Sequence, residues 1–444
     1  MGKRSTVSDR KKYIQPGKAT HLHYTTTARG KRYVASASRV RRGRRPSHRP
    51  RLSKAVVVAV AAVALVIGSA SAWYFLLRDV AISVNGEQVV ARVNAPLAEV
   101  LEEHDYFGAV PGRLLSVGGN VLEERGGEPC AVSRQGEQLA PEQVEGARIQ
   151  EGDVFTVADG TDTEEASTEE TQEIAPGIHR ETGGAIQFVS QWGKAGSKRV
   201  KTGEVSGETA EEVLEEPQDM VVSSVNPRPS SGKYVALTFD DGPSPYTPQI
   251  LEILKEKGVR ATFFNLGSQA QSNPSGSRAI VEAGQELASH TMAHRNLPTV
   301  DRDTLRSEIS TAADALSEAS GTHPQMIRAP YGAFGDTEWA RSGDLLSCNV
   351  LWNVDTCDWE RPGADAIRAA AVNSAFNGAI ILMHDGGGNR EQTVAALPGI
   401  IDDLRAKGYE FVTVSELMSM DDRIPEDVAN GTVSMPEEAV LPSV

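Results

Sequence analysis

The sequence predicts an α/β protein whose main domain is a (β/α) barrel over residues 233–420, and three observations lead there. Short apolar runs alternate with helical patterns from residue 234 onward, which implies a parallel sheet. The polar clusters able to carry chemistry sit at or just after the ends of those runs, where barrel enzymes hold their sites. An uncharged apolar stretch, Ala55 to Leu77, divides a basic N-terminus from an acidic remainder and so adds a membrane helix to the barrel.

Seven runs read as strands: 234–239, 261–264, 286–289, 325–328, 350–354, 379–383 and 409–414. Between them, 247–257 carries Ile250, Leu251, Ile253 and Leu254 at helical spacing, with Gly258 as the stop. Residues 301–319 repeat the pattern with Leu305, Ile309, Ala312 and Leu316. Residues 391–407 do so with Val394, Leu397, Ile401 and Leu404, although Pro398 should kink or divide that helix.

The chemistry begins at Thr238-Phe239-Asp240-Asp241-Gly242-Pro243-Ser244. Neighbouring side chains in a strand point to opposite faces, so adjacent carboxylates converge only where the strand breaks. Gly242-Pro243 supplies the break. Two acids held close are costly unless one is protonated or a cation lies between them. The stretch therefore asks for a metal. His290 and His294, four apart, would share one face of a helical turn and offer two imidazoles to one ion. Asp, His and His make three protein ligands and leave positions for water and substrate, the pattern of a catalytic zinc site.

Three further clusters follow: Arg328-Ala329-Pro330-Tyr331-Gly332, Asp355-Thr356-Cys357-Asp358-Trp359 and Leu382-Met383-His384. With the first two, they make five motifs in order, and over residues 232–420 the sequence resembles the polysaccharide deacetylase family, also called carbohydrate esterase family 4. The resemblance implies an irregular barrel of seven strands and metal-assisted hydrolysis of an N-acetyl or O-acetyl group. It implies Asp241, His290 and His294 as ligands of one divalent ion, zinc first and cobalt or another ion as alternatives. It implies Asp240 as the base, with Arg328 beside it to keep it ionised. The backbone N–H of Tyr331 should serve the oxyanion. His384 should be the general acid, oriented by Asp358. Trp359, Leu382 and Pro330 should line the substrate pocket. Each residue alone has a plainer reading: Asp358 as a turn cap, Trp359 and Leu382 as core, Arg328 as a surface charge, His384 as a satisfied histidine.

The chain has 444 residues, too long for one ordinary domain, and a formal net charge of −15. Seventeen Lys/Arg and one acid, Asp9, lie in residues 1–54; of totals of 45 and 60, this leaves 28 Lys/Arg and 59 Asp/Glu beyond. At ~1.5 Å per residue, 55–77 spans roughly 34 Å, enough to cross a bilayer. The charge asymmetry puts residues 1–54 in the cytoplasm as a disordered tail and the catalytic domain outside. A cleaved signal peptide at Ala70-Ser71-Ala72 is the rival, disfavoured by so long a basic segment. Nucleic-acid binding by Arg41-Arg42-Gly43-Arg44-Arg45 is a second rival; contact with anionic lipid is the plainer reading, and no specific nucleic acid is expected.

Residues 78–158 read as a small β-rich module: a hairpin of 80–84 and 88–93 around Asn85-Gly86, a short helix at 97–103, and a closing strand at 152–157. The order resembles a β-grasp (ubiquitin-like) module of cell-wall proteins, a spacer or binding unit. Residues 159–232 read as an acidic linker with a hairpin within 185–206, and 421–444 as a loose acidic tail. Cys130, Cys348 and Cys357 give no disulfide framework and are expected to be free thiols. The reading that results is a membrane-anchored deacetylase of an N-acetylated cell-surface glycan, with peptidoglycan as substrate. Chitin-type oligosaccharides, an O-acetylated glycan, or a catalytically silent wall-binding protein are the alternatives.

Overall fold

The computed structural model describes residues 53–444, so the basic tail of the sequence reading lies outside the described residues up to position 52. The chain divides into two compact parts, one ending at Leu77 and one beginning at Arg78. The first holds the helix Lys54–Ala72, continued by a wider turn, Trp73–Leu77. The two together run 24 residues, with a mean hydropathy of 2.5 over an 18-residue window, long and apolar enough to cross a membrane.

Most of the second part is organised on one eleven-stranded sheet. Seven strands run parallel in the order Cys348–Val350, Met326–Ile327, Glu286–Ser289, Thr262–Asn265, Tyr234–Asp240, Ala379–His384 and Val354–Asp355. The two end strands of that run are successive in the chain, joined by 351–353, so the run turns back on itself as a barrel does. Glu410–Phe411 pairs in parallel with the start of Tyr234–Asp240. The expected strand at 350–354 is thus the connection between two short strands. Its apolar run continues because Leu351 packs on the same core.

Alternation along Tyr234–Asp240 sets the layers. Val235, Leu237 and Phe239 pack outward against Ile250, Leu254, Leu397 and Ile401. Ala236 packs inward with Phe264, Ile380 and Cys348. The helices Thr247–Lys257 and Arg302–Ser320 stop at Gly258 and Gly321, both left-handed, as Gly permits. Glu391–Ala406 runs through Pro398 as one helix; the expected division does not occur.

The segment 159–232 is not a linker. Ile186–Gln191 pairs antiparallel with Cys348–Val350 and with Met220–Val225, extending the barrel sheet. Gly196–Gly203 belongs to another sheet, between Ser167–Ile174 and Thr209–Glu215, so the expected hairpin within 185–206 does not form. The acidic character that suggested a linker is absorbed by cross-strand pairs: Lys198 with Glu211, Arg199 with Glu212, Lys201 with Glu169. Nor is 421–444 loose. Ile424, Val428 and Ala429 are buried, and Glu426–Asn430 is a short helix.

Residues 78–158 contain the expected hairpin, helix and return strand, and also Ala131–Arg134, Glu137–Leu139 and the helix Pro141–Gly146, which the sequence did not signal. Asp79–Val84 and Glu87–Arg92 form the hairpin, with Asn85 and Gly86 at φ 50° and 87° as that tight turn requires. The helix is Leu97–Glu103, and Val154–Ala158 returns parallel to the first strand.

Candidate active site

The inward alternation of Tyr234–Asp240 carries Thr238 and Asp240 into the barrel, where Arg328 Nη1 donates to both, at 2.9 Å and 2.7 Å. Arg328 is wholly buried. Its Nε donates to Val350 O at 2.9 Å, and its guanidinium lies 4.1 Å from the Phe264 ring centroid. Burial pushes the Asp240 carboxyl above the usual carboxylate range, with Arg328 and then His384 opposing.

The strand breaks one residue before the Gly-Pro step. Asp241 has φ 71°, which swings its carboxylate toward the histidines instead of the opposite face. Gly387 makes room: a Cβ there would meet Asp241 Oδ2 at 2.3 Å.

His290 and His294 do not share a helical turn. They lie on a loop after Glu286–Ser289, with Thr291 and His294 at positive φ, and that curl brings the two rings to 4.9 Å. Glu308 on the helix Arg302–Ser320 braces the loop. Its carbonyl accepts from Met292 N at 2.9 Å, and its Oε2 from Ala293 N at 2.8 Å. His290 Nδ1 sits 2.7 Å from Arg328 O; a carbonyl only accepts, so Nδ1 carries the proton and Nε2 is free to ligate. Burial drops the His290 pKa to about 3, which keeps that imidazole neutral.

Asp241 Oδ1 is 3.6 Å from His290 Nε2 and 3.5 Å from His294 Nε2. One donor atom from each of the three residues lies within 4.8 Å of the others. Asp241 Oδ1 is buried without a hydrogen-bond partner. Such an orphan is costly, and a cation between the three groups would satisfy it. The residues fit a divalent ion.

Across the site, His384 stands beside Asp240 in the register of their strands. Its Nδ1 is 2.7 Å from Asp358 Oδ1, and its backbone N donates to Asp358 Oδ2 at 2.9 Å. Thr393 Oγ1 also donates to that carboxylate, at 2.7 Å. Burial works against charge on both partners. The mutual hydrogen bond outweighs it, lowering the Asp358 pKa and raising that of His384.

These groups surround a cavity of about 400 Å³. Asp240, Asp241, His290, His294, Tyr331, Trp359, Leu382 and His384 all line it, so the sequence-selected residues converge. Leu382 is buried and Trp359 is half exposed. Pro330 is a correction: it is buried and does not line the cavity, because it begins the turn that leaves Tyr331 at φ 62°. The expected free thiols are free.

Sequence reasoning missed Trp352, Asp355 and Arg390 on the cavity wall. Asp355 stood within a motif already noticed and Trp352 just before it; nothing local marks Arg390. Asp385 was also missed. It sits behind Gly242, accepts from Thr247 Oγ1, and burial pushes its pKa up to about 7.

A family profile described as polysaccharide deacetylase matches residues 228–345. A peptidoglycan-N-acetylglucosamine deacetylase of Bacillus cereus is 38% identical over 193 residues, covering 43% of this chain and 90% of its own. A chitooligosaccharide deacetylase of Sinorhizobium fredii is 41% identical, covering 41% of this chain and 91% of its own. The peptidoglycan-N-acetylglucosamine deacetylase PgdA of Listeria monocytogenes is 34% identical, covering 49% of this chain and 45% of its own. The chain belongs to the polysaccharide deacetylase family, and it is a hydrolase acting on N-acetyl linkages.

Proposed function

We propose that this chain is a metal-dependent N-deacetylase of a cell-surface glycan, with peptidoglycan as substrate. The observation that carries the reading is the meeting of Asp241, His290 and His294 on one wall of a cavity that Asp240 and His384 also line. One carboxylate and two imidazoles with open positions is the donor set of a catalytic zinc site, though cobalt or another divalent ion fits it too. Bound there, the ion would supply Lewis acidity toward the acetyl carbonyl and the attacking water.

The chain's own groups do the proton work. Asp240 Oδ1 is tied to Arg328, so Oδ2, 3.9 Å from His290 Nε2, takes the proton from water. The Tyr331 amide is assigned to the oxyanion. In its turn the next two amides, of Gly332 and Ala333, already donate to Ala329 O and Pro330 O. His384, held at Nδ1 by Asp358, donates from Nε2 to the departing amine. Leu382 and Trp359 wall the acetyl methyl. Acetate and a free amino sugar result.

Residues 55–77 are the anchor in this proposal, with residues 1–54 cytoplasmic and 78–444 outside. The 78–158 module serves as a β-grasp-like spacer. Similarity to the Sinorhizobium enzyme favours chitin-type oligosaccharide as a second substrate reading. Acetate release from peptidoglycan and from N-acetylglucosamine oligomers, with and without chelator, tests both. Release should stop on chelation and return with zinc; full activity in metal-free protein defeats the proposal.

A further inference from the structure

The strand Ile186–Gln191 lies in the stretch whose composition suggests a linker, upstream of the residues matched by the family profile. It nevertheless reaches the wall of the active site. Ile186 and Phe188 enter the core with Ala236 and Phe264. Gln187 lies between them on the other face of the strand, directly opposite Asn349 on the neighbouring strand. Both amides are buried, Gln187 at 4% exposure and Asn349 at 0%.

Two threads of hydrogen bonds run from this strand to the Arg328–Tyr331 segment. In the first, Asn349 Oδ1 accepts from Ala329 N at 3.0 Å, and Asn349 Nδ2 donates to Gln187 Oε1 at 2.9 Å. A backbone N–H only donates, so Ala329 fixes which end of the Asn349 amide faces it, and the NH2 end is left for Gln187. In the second, Leu351 N donates to Ala185 O at 2.7 Å, and Leu351 O accepts from Arg328 Nη2 at 3.2 Å. The first thread ends where the turn of Tyr331 begins. Ala329 O accepts from Gly332 N at 3.0 Å, so Ala329 is held at its N–H by Asn349 and at its carbonyl by the turn. Tyr331, at φ 62°, lies inside that turn.

We propose that Gln187 is a positioning residue for the reaction: acting through Asn349, it fixes the Ala329–Gly332 turn and with it the direction of the Tyr331 amide. The inference rests on the deacetylase reading. A donor stabilises a developing oxyanion best when it is aimed before the charge appears, and a turn that drifts must be reorganised during the reaction. The bonds within the turn hold its shape; the bond from Asn349 ties it to the sheet. Without Gln187, Asn349 Nδ2 is a buried donor with no acceptor, and the amide relieves that cost by turning away from Ala329. Gln187 does not line the catalytic cavity, so its effect there passes through the turn.

The test measures acetate release from N-acetylglucosamine oligomers by the zinc-loaded, full-length chain in detergent, with bound metal and melting temperature determined on the same samples. Gln187→Met keeps the bulk and removes the acceptor; Gln187→Glu keeps an acceptor oxygen. Gln187→Met should lower kcat about tenfold per folded, metal-loaded molecule, as a misaimed group does. KM should stay within about twofold, the mark of an interaction used in the transition state alone. Gln187→Glu should recover most of the loss. If Gln187→Met does not fold, Gln187→Asn, one methylene too short to reach Asn349, should show the same fall. An unchanged kcat in the folded variant, a rise in KM alone, or a Glu variant as slow as the Met variant would each overturn the inference while wild-type acetate release upheld the deacetylase reading. No acetate from the wild type would overturn that reading, and this inference with it.

Discussion

Two regions of the second part handle charge in opposite ways. Inside the barrel, Arg328 and Asp240 pair at 2.7 Å with side-chain exposures of 0% and 4%. On the sheet of Ser167–Ile174, Gly196–Gly203 and Thr209–Glu215, Lys201 pairs with Glu169 at 3.8 Å with exposures of 34% and 51%. The contacts resemble each other on paper, but the surroundings differ. The buried pair has lost its water and is supported by further hydrogen bonds to Thr238 and Val350. The surface pair keeps its water and is screened by salt. The first holds the proposed base in place; the second lies on the surface of an acidic strand.

The contrast breaks most sharply at Arg328. Arg328→Ala removes the only cation paired with Asp240 among the described residues, lets burial push that carboxyl further toward its protonated form, and should cost about 3–5 kcal/mol of stability with loss of turnover. Thermal unfolding together with acetate release measures both. A variant as stable as the parent would mean that the buried pair is no more important than a surface one.

The adjacent carboxylates come next. Asp240→Asn should retain bound metal and lose roughly 10²-fold or more in turnover, the usual size of base catalysis. Asp241→Asn should weaken metal binding instead, with activity partly recovered at high metal concentration. Metal content and turnover measured on the same samples separate the two roles. The reverse outcome exchanges the assignments.

A smaller effect is expected at Asp358, where the charge acts on a neighbour. As the proposed general acid, His384 would donate its proton only while protonated, so activity should fall as pH rises through its pKa. The Asp358 carboxylate raises that pKa against the pull of burial. Asp358→Asn keeps an acceptor for Nδ1 but removes the charge, so the basic limb of the rate profile should move to lower pH. An unmoved limb would assign Asp358 to positioning alone, or the acid role to another group.

At the other end stands Lys201→Ala. It should change stability by less than ~1 kcal/mol and leave kcat and KM untouched. A large loss in unfolding experiments would show that the acidic strands depend on that lysine more than exposed pairs normally allow.

The sequence by itself determined the family, the candidate site residues and most of the barrel. Strand and helix periodicity located Tyr234–Asp240, Thr247–Lys257 and Arg302–Ser320 within a residue or two, because one face of each is buried and its apolar spacing is strict. The five motifs named nearly all the cavity's chemical groups, since catalysis constrains residue type at short spacing. The apolar span and the Asn85-Gly86 hairpin were also local signals. Tertiary structure decided the rest. The histidines meet through a curled loop braced by Glu308, not a helical turn, and no local pattern encodes that brace. Residues 159–232 look like a linker because acidic, exposed strands have a linker's composition. Their pairing depends on partners far along the chain, such as Cys348–Val350 for Ile186–Gln191. Arg390 and Trp352 reach the cavity wall for the same reason: their place was set by which strands lie side by side, a long-range fact that spacing along the chain does not record.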